Sequence, residues 1–312
     1  MPNFSGIWTV TQQMQATGQA IWPARPATPT IGTATATGAT TATVAFTAGS
    51  TGYPTTVTFT ATSSPGGLTG TGASSPITVT GLTESTSYTF TVTATNATGT
   101  SEASAASNSI TTPVAPPSVI GQAYGGGYYA GQIGVSGVAT HYLIIAPKAS
   151  GETVLRWKNA ASDTPGANSV IDGPQNTADM VADGSSTVYP AAHFCNDLVV
   201  GGYSDWYMPA KNEFEVCYYN LKPTTDSNNT AFGVNANAVP ARASNYTAGT
   251  PAQTSAVIFR SGNSEAFQAS FQWASTEAST TRGWVQQFLD GVQNDTDKND
   301  LNYLRAIRRI PV

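Results

Sequence analysis

Two carboxylates, Glu213 and Glu215, stand two residues apart in the stretch GGYSDWYMPAKNEFEV (201–216) and could in principle perform acid–base chemistry. Paired carboxylates cleave glycosidic bonds when one protonates the leaving group and the other activates water or attacks the sugar. The residues around them, 209–223, have helical spacing, and side chains two positions apart on a helix point in different directions. A glycan-degrading enzyme is therefore kept only as a further alternative.

Other catalytic residue types are scarce, since the chain has two cysteines, Cys195 and Cys217, and two histidines, His141 and His193. Cys217 falls at helical spacing among apolar residues, which predicts a buried, unreactive thiol. Two buried free thiols are expected, with a single bridge between them as the alternative. Neither histidine has a second metal ligand four residues away, and the common nucleophile, zinc, phosphate and dinucleotide motifs are absent. The sequence predicts that the protein is not an enzyme.

Three oxygen-bearing side chains, Asp295, Asp297 and Asn299, occupy alternate positions in NDTDKND (294–300). The first ligands of a calcium loop have this spacing. The glycine expected after the third ligand is replaced by Asp300, and no Glu follows at the right offset. Calcium binding is kept as a hypothesis beside an ordinary hairpin turn, and no other cofactor is predicted.

Aromatic and amide side chains near the late turns could bind a sugar, because sugars need stacking faces and planar hydrogen-bonding groups. Long irregular loops usually carry recognition, and here these are the polar insert 224–253 and the turn 294–300. The predicted ligand-binding residues are Asn245, Tyr246, Gln286, Gln293, Asn294, Asn302 and Tyr303.

The stretch 201–216 is interpreted as scaffold. We expect Trp206 and Tyr207 to fill the core at the entry to the helix, and Lys211, Asn212 and Glu213 to cover its solvent face. Trp273 and Trp284, from the later strands, are also expected to be buried.

Length and charge limit the function. A chain of 312 residues is long enough for more than one domain. Its net charge of -5 includes no basic stripe, so a nucleic-acid partner is not expected. No apolar run of about 18 residues predicts membrane insertion, and the start lacks a signal peptide's basic and apolar regions. We expect synthesis in a host cytoplasm.

Residues 28–112 contain only two charged side chains, Glu84 and Glu102, and are dominated by Thr, Ala, Ser and Gly. Stretches such as TTVTFTAT (55–62) and SYTFTVTATN (87–96) alternate apolar residues with Thr, which is typical of half-buried strands. Clusters rich in Gly, Pro and Ser separate the strands at the spacing of a β-sandwich.

The segment GLTESTSYTFTVTATNATGTS (81–101) resembles the end of a fibronectin type III domain. The resemblance implies that Leu82 is buried, and that Tyr88 buries its ring and returns its hydroxyl to nearby backbone as a corner clamp. Such sandwiches most often serve as spacers. A proline-containing linker, TTPVAPPSV (111–119), follows and favours an extended connection.

Beyond the linker, both helical and strand patterns occur. ATHYLIIAPK (139–148) predicts a buried strand, and capping and proline signals predict three helices, in 176–184, 190–202 and 209–223. WVQQFLDGVQ (284–293) predicts a hairpin about Asp290 and Gly291, and LNYLRAIRRI (301–310) supplies one returning strand. These patterns together predict an α+β domain.

Five ordered words of this region resemble a C-type-lectin-like family found at the end of bacterial collagen-like adhesins and in phage tail proteins. The resemblance implies a domain whose irregular loops bind ligands. The family is also distantly related in fold to formylglycine-generating enzymes, whose oxidative catalysis requires a reactive pair of cysteines, and the buried position expected for Cys217 argues against that activity. The words are DGPQNTADM (172–180), PAAHFCNDL (190–198), GGYSDWYMPAKNEFEVCYYNL (201–221), WASTEAS (273–279) and RAIRR (305–309).

The first 23 residues are too apolar to remain free and too short to fold alone. Their residues Trp8, Gln12, Gln13, Trp22 and Pro23 resemble the opening of tailed-phage structural proteins. The resemblance implies a virion anchor or an oligomer interface, and packing back onto the chain's own domain is the alternative.

The predicted fold is multidomain, an all-β fibronectin type III sandwich followed by an α+β C-type-lectin-like domain. The predicted parts are an anchoring segment (1–23), the sandwich (24–113), a linker with first strands (114–139) and the lectin-like domain (140–312). The expected protein is a homo-oligomeric virion component, with a trimer as one form. It is a tail fibre or tail-tip adhesin that binds other virion proteins and a host surface glycan or protein. A capsid decoration or head-fibre protein is the alternative.

Overall fold

The computed structural model describes Thr11, Gln12, Gln15 and residues 23–312. Most of the predicted anchoring segment, 1–23, lies outside the described residues. The chain divides into two compact units between Pro116 and Pro117. Residues 117–139, which we assign to the linker and first strands, belong to the second unit, because two of its strands lie there and pair with later ones.

The described residues of the first unit form eight strands in two sheets. The strands are β1 Thr30–Gly38, β2 Thr41–Thr47, β3 Thr58–Ser64, β4 Thr69–Gly72, β5 Ile77–Thr80, β6 Ser87–Asn96, β7 Gly99–Thr100 and β8 Ile110–Thr111. One sheet has the order β1-β2-β5, the other has the order β4-β3-β6-β7, and β8 pairs with β6. Apolar residues of both sheets form one shared core, which makes the unit a β-sandwich.

Strand β6 shows why this sequence folds as a sandwich. Every second residue of β6 is buried, and the Thr residues between them are not. Tyr88 is 4% exposed, and its hydroxyl accepts a hydrogen bond of 3.0 Å from the backbone N–H of Thr83, so the predicted corner clamp is present. Leu82 is buried beside it, at 2% exposure.

The second unit combines helices with two sheets. The strands are β9 Ala123–Tyr124, β10 Gly127–Val135, β11 Val138–Ile145, β12 Glu152–Leu155, β13 Phe271–Ser279, β14 Arg282–Gln287, β15 Gln293–Asp297, β16 Asn302–Arg305 and β17 Ile307–Pro311. The sheet orders are β17-β11-β10-β9 and β12-β16-β13-β14-β15. All strand pairs are antiparallel except β13 with β16. The helices are α1 Lys148–Gly151, α2 Gly173–Asp183, α3 Pro190–Asn196, α4 Lys211–Leu221 and the 3-10 turn Val257–Phe259.

The three predicted helices are present, with different bounds. Helix α2 begins at Gly173, three residues before the predicted start at 176, because the Asp172 side chain caps it by accepting a hydrogen bond from the backbone N–H of Gln175. Helix α4 spans Lys211–Leu221, inside the predicted range 209–223. Helix α3 ends at Asn196, short of the predicted end at 202, because Val200 and Tyr203 exchange backbone hydrogen bonds in a turn. None of the helices in the described part of the chain is long and apolar enough to cross a membrane.

The predicted single returning strand is two strands, which is a correction. It breaks at Ala306, so that β16 pairs with β12 in the five-stranded sheet and β17 pairs with β11 in the four-stranded sheet. The buried Arg305 holds this crossover by donating to the carbonyl oxygen of Ala146 at 2.9 Å and to the Glu265 carboxylate at 2.5 Å. The crossover places Arg309 on β17 beside His141 of β11.

Two apolar cores fill the second unit, and each contains one cysteine. Cys195 and Cys217 are free and fully buried, as predicted, and burial raises the pKa of both thiols. Trp206, Tyr207 and Trp273 are also buried, at 2%, 3% and 0% exposure.

The prediction that Trp284 is buried is wrong. This residue is only partly covered, and the ammonium nitrogen of Lys211 lies 3.2 Å from the centre of its indole ring.

Candidate ligand-binding cleft

A cleft of about 330 Å³ opens beside helix α4 and the polar insert 224–253. We call it the tyrosine cleft. Its main lining residues are Tyr219, Arg242, Asn245, Tyr246, Thr247 and Thr250.

Hydrogen bonds hold the insert in one conformation, although it contains almost no regular secondary structure. Thr247 and Thr250 exchange two backbone hydrogen bonds across a tight turn. The buried Asn228 donates from its amide to the carbonyl oxygens of Thr247, at 3.1 Å, and Pro251, at 2.9 Å. Lys222, also buried, donates to the Asn228 amide oxygen at 2.7 Å. The insert is therefore ordered by buried polar side chains.

Aromatic rings form the floor of the cleft. The ring of Tyr246 lies 5.6 Å from that of Tyr218 and 6.4 Å from that of Tyr219, centre to centre. Gly291, in the loop after β14, packs beneath these rings with a φ of 85°. A Cβ atom there would lie 2.5 Å from the Tyr218 ring and 2.7 Å from the Tyr246 ring, so the close packing requires glycine.

A buried carboxylate anchors the polar part of the cleft. Glu215 is 1% exposed and accepts hydrogen bonds from the Tyr246 hydroxyl and the Asn235 amide, both at 2.5 Å. It also forms an ion pair with Arg242. Burial raises the pKa of Glu215, while Arg242 and the hydrogen bonds act in the opposite direction. Because both carboxylate oxygens of Glu215 accept hydrogen bonds, the side chain supports the cleft and is not open to react with a ligand.

Arg242 and the rim supply groups that a ligand can reach. The guanidinium carbon of Arg242 lies 4.0 Å from the centre of the Tyr219 ring, and the side chain is 15% exposed. Its Nε atom is buried and has no hydrogen-bond partner among the described residues. Asn245, Thr247 and Thr250 are exposed. The cleft thus combines aromatic faces with amide, hydroxyl and guanidinium groups, an arrangement suited to hydroxyl-rich ligands.

Two of the seven predicted ligand-binding residues meet in this cleft. Asn245 is exposed on the rim, as the prediction requires. Tyr246 is only 5% exposed, and its hydroxyl is used by Glu215, which contradicts the prediction that it is a surface residue. Burial, followed by the charge of Glu215, raises the pKa of Tyr246, so its hydroxyl stays protonated. Only part of the Tyr246 ring is available to a ligand.

The other five predicted residues lie on the five-stranded sheet and do not share one surface. Gln286 is 1% exposed, so its predicted surface role is contradicted, and it pairs with Gln293 across β14 and β15. Neighbouring residues of a strand point to opposite faces, which separates Gln293 from Asn294 and Asn302 from Tyr303. The sequence shows that alternate residues of a strand share a face. It does not show which of the two faces other residues cover.

The predicted calcium ligands do not form a loop. Asp295 and Asp297 lie within strand β15, and Arg282 on β14 pairs with both, at 3.1 and 3.7 Å. Asn299 follows in an exposed turn. Among the described residues, no group of three or more acidic, histidine or cysteine side chains could hold a metal ion. Acidic residues at every second position occur both in calcium loops and on one face of a strand. In this protein Asp295 and Asp297 have this spacing because they lie on one face of β15.

Glu213 was predicted to face solvent, and this is wrong. It is fully buried, accepts hydrogen bonds from the Tyr207 hydroxyl at 2.9 Å and the Ala210 N–H at 2.8 Å, and lies 3.9 Å from Arg309. Burial raises its pKa to about 7, although these partners oppose the rise. One sequence signal could have predicted its contact with Ala210. Glu213 stands three residues after Ala210, from where an acidic side chain can accept a hydrogen bond from the backbone N–H at the helix start.

No family model matches this chain, and no curated protein matches it. The solved structures that resemble part of it are fibronectin type III-like domains. The fibronectin type III domain of human fibronectin type III domain containing protein 3 is 24% identical, with 30% of this chain and 94% of that chain covered and a TM-score of 0.26.

Two longer structures are also similar to part of this chain. Chicken CNTN1 domains FN1–FN3 are 22% identical, with 41% of this chain and 47% of that chain covered and a TM-score of 0.25. Titin domains A168–A170 are 19% identical, with coverages of 30% and 32% and a TM-score of 0.24. The chain spans less than half the length of these two structures, and these likenesses concern the fold alone.

Proposed function

We propose that this chain is a structural protein of a tailed-phage virion, whose second unit is a C-type-lectin-like domain that binds a host surface glycan through the tyrosine cleft. The observation that carries the proposal is the composition of this cleft: aromatic faces beside an exposed amide, two hydroxyls and a guanidinium. Five ordered words of the second unit and the opening segment support the virion role, since both resemble phage tail proteins.

The cleft supports binding rather than bond cleavage. A glycosidase needs one carboxylic acid and one carboxylate that both reach the substrate. Here both carboxylates are buried. Glu213 accepts hydrogen bonds from Tyr207 and Ala210, and Glu215 pairs with Arg242. The sandwich acts as a spacer, and the opening segment, residues 1–23, binds other virion proteins. The chain itself forms a homo-oligomer.

Glycan binding is tested with the full chain on an array of bacterial surface polysaccharides. We expect binding to a subset, lost in Tyr219→Ala and reduced in Asn245→Ala, because these changes remove a stacking face and an exposed amide. Asn294→Ala is the matched control, since it removes an exposed amide from β15 outside the cleft. Equal binding by all four proteins, or binding by none, would reject the cleft as the receptor site.

The position on the virion is tested by gold-labelled antibody against the chain. Labelling at the tail supports an adhesin. Labelling of the shell supports the capsid decoration or head-fibre alternative, and unlabelled virions would reject both.

A further inference from the structure

A second cleft, of about 340 Å³, lies at the hairpin of β10 and β11. We call it the histidine cleft. Three apolar and five polar side chains line it: Ile133, Val135, Ile171, Thr140, His141, Ser169, Asp172 and Arg309. None of these eight residues belongs to the tyrosine cleft.

The contacts of Thr140 favour one protonated form of His141. The Thr140 hydroxyl lies 3.2 Å from the carbonyl oxygen of Ile133, to which it can donate its one proton. We infer that it then accepts from His141 Nδ1, which lies 3.0 Å away. In this arrangement Nδ1 is protonated, and Nε2 keeps a lone pair with no partner among the described residues. Burial, together with the nearby Arg309, lowers the pKa of His141 below its usual 6.5, although Asp172 acts in the opposite direction. The neutral ring is therefore favoured at pH 7.

The charges of the histidine cleft offset each other. Arg309 donates to Asp172 Oδ1 at 3.0 Å and lies 3.9 Å from Glu213. Asp172 Oδ2 accepts no hydrogen bond from the described residues. An anion would meet the Asp172 carboxylate, and a cation would meet the Arg309 guanidinium. A neutral hydroxyl group avoids both conflicts, because it can donate to Asp172 or His141 and accept from Arg309.

Both clefts contain an arginine that lies near a buried glutamate of helix α4. Glu213 and Glu215 are both buried, and each faces one arginine: Glu213 lies near Arg309 in the histidine cleft, and Glu215 pairs with Arg242 in the tyrosine cleft. Because Glu213 and Glu215 are two positions apart on the helix, their carboxylates lie on different sides of it. One helix therefore supports two separate sites.

We propose that the histidine cleft is a second saccharide-binding site, in which His141 Nε2 and Asp172 accept hydrogen bonds from neighbouring hydroxyl groups and Arg309 donates to one of them. Val135, which is 56% exposed, and Ile171 contact the apolar face of the sugar ring. The ligand class is a neutral, hydroxyl-rich sugar. This inference does not depend on a virion location or on ligand binding in the tyrosine cleft.

NMR of the full chain with isotope-labelled histidine tests the proposal, because the sequence contains only His141 and His193. His193 is the internal control, since its Nε2 is within 2.8 Å of the Gly184 carbonyl oxygen. The probes are methyl glucoside, methyl mannoside, methyl rhamnoside and N-acetylglucosamine, each to about 50 mM, which detects millimolar affinity. Methyl glucuronide is the anionic comparison.

We expect His141 to show the Nδ1-protonated form, and at least one neutral sugar to shift its ring signals while those of His193 stay unchanged. The glucuronide should bind more weakly than its neutral counterpart. A proton on Nε2, or His141 signals that no neutral sugar shifts, would overturn the proposal.

Two variants separate this site from the tyrosine cleft. His141→Phe keeps a ring but removes Nε2, and it should lower the affinity for the identified sugar about fivefold or more, the effect of one lost hydrogen bond. Its melting temperature checks that it folds. Asn245→Ala should leave the affinity measured at the histidine cleft unchanged. If both variants bind this sugar as the wild type does, the site assignment is wrong, whatever the glycan array shows.

Discussion

Two acidic side chains of helix α4 are the residues whose environment matters most. Glu213 and Glu215 occupy positions that a polar helix face would tolerate, yet both are buried and bonded. A buried carboxyl group favours its neutral form unless charged partners compensate. Glu213 has only a distant arginine, and burial raises its pKa to about 7. Its protonation should therefore influence stability near neutral pH.

Glu213→Gln should remove a pH dependence of stability. The pKa of Glu213 rises from 4.5 to about 7 on folding, so the folded state binds more protons between these values, and stability falls as pH increases through this window. The shift of about 2.5 units corresponds to a loss of about 3 kcal/mol. Gln stays neutral, so the variant should lose less stability between pH 4.5 and 8 in urea unfolding.

The control for this experiment is Glu102→Gln, which changes an exposed carboxylate of the first unit. It should keep the wild-type pH profile. If Glu213→Gln loses stability with pH as steeply as the wild type, Glu213 is not the titrating group.

Tyr88→Phe should destabilise the first unit by about 1 kcal/mol, because it leaves the Thr83 N–H without its acceptor. Tyr53→Phe is the matched control, since the Tyr53 hydroxyl makes no hydrogen bond to the described residues. Chemical denaturation of both variants measures the difference. Equal stability of Tyr88→Phe and wild type would show that the hydrogen bond between Thr83 and Tyr88 does not contribute to the free energy of unfolding.

At the scale of elements, loops decide what the second unit can bind. The tyrosine cleft is built from the insert 224–253 and supported by the loop that joins β14 and β15. Asp290 and Gly291 do form the predicted hairpin connection. The sequence does not predict that Gly291 packs beneath the rings of Tyr218 and Tyr246.

Gly291→Ala should destabilise the second unit by more than about 1 kcal/mol and weaken glycan binding. Its Cβ atom would overlap the Tyr218 ring, and its φ of 85° is unfavourable for any other residue. Gly249→Ala is the control, because Gly249 lies in the same cleft region with open space around it. Thermal unfolding and the glycan array measure both effects, and similar behaviour of the two variants would contradict this account.

At the scale of the whole molecule, each of the two units has its own core. One apolar cluster lies within the sandwich, and two others lie within residues 117–312. A domain with its own core can fold independently.

Fragments 23–116 and 117–312 should therefore each unfold in a cooperative transition when expressed separately. Circular dichroism during heating measures this, with the full chain as the reference. A fragment 117–312 that melts gradually, without a cooperative transition, would show that its cores need the first unit.

The sequence by itself determined the sandwich, the hydrogen-bonded corner at Tyr88, the burial of both cysteines and the presence of three helices in the second unit. Alternation, capping and turn signals act between residues close in the chain, so they are visible without a structure. Only the tertiary structure decided that Glu213 and Glu215 are buried and that Tyr246 gives its hydroxyl to Glu215. It also decided that the last strand divides between two sheets. These outcomes depend on partners far away in the chain, such as Arg242 and Arg309, whose positions no local pattern encodes.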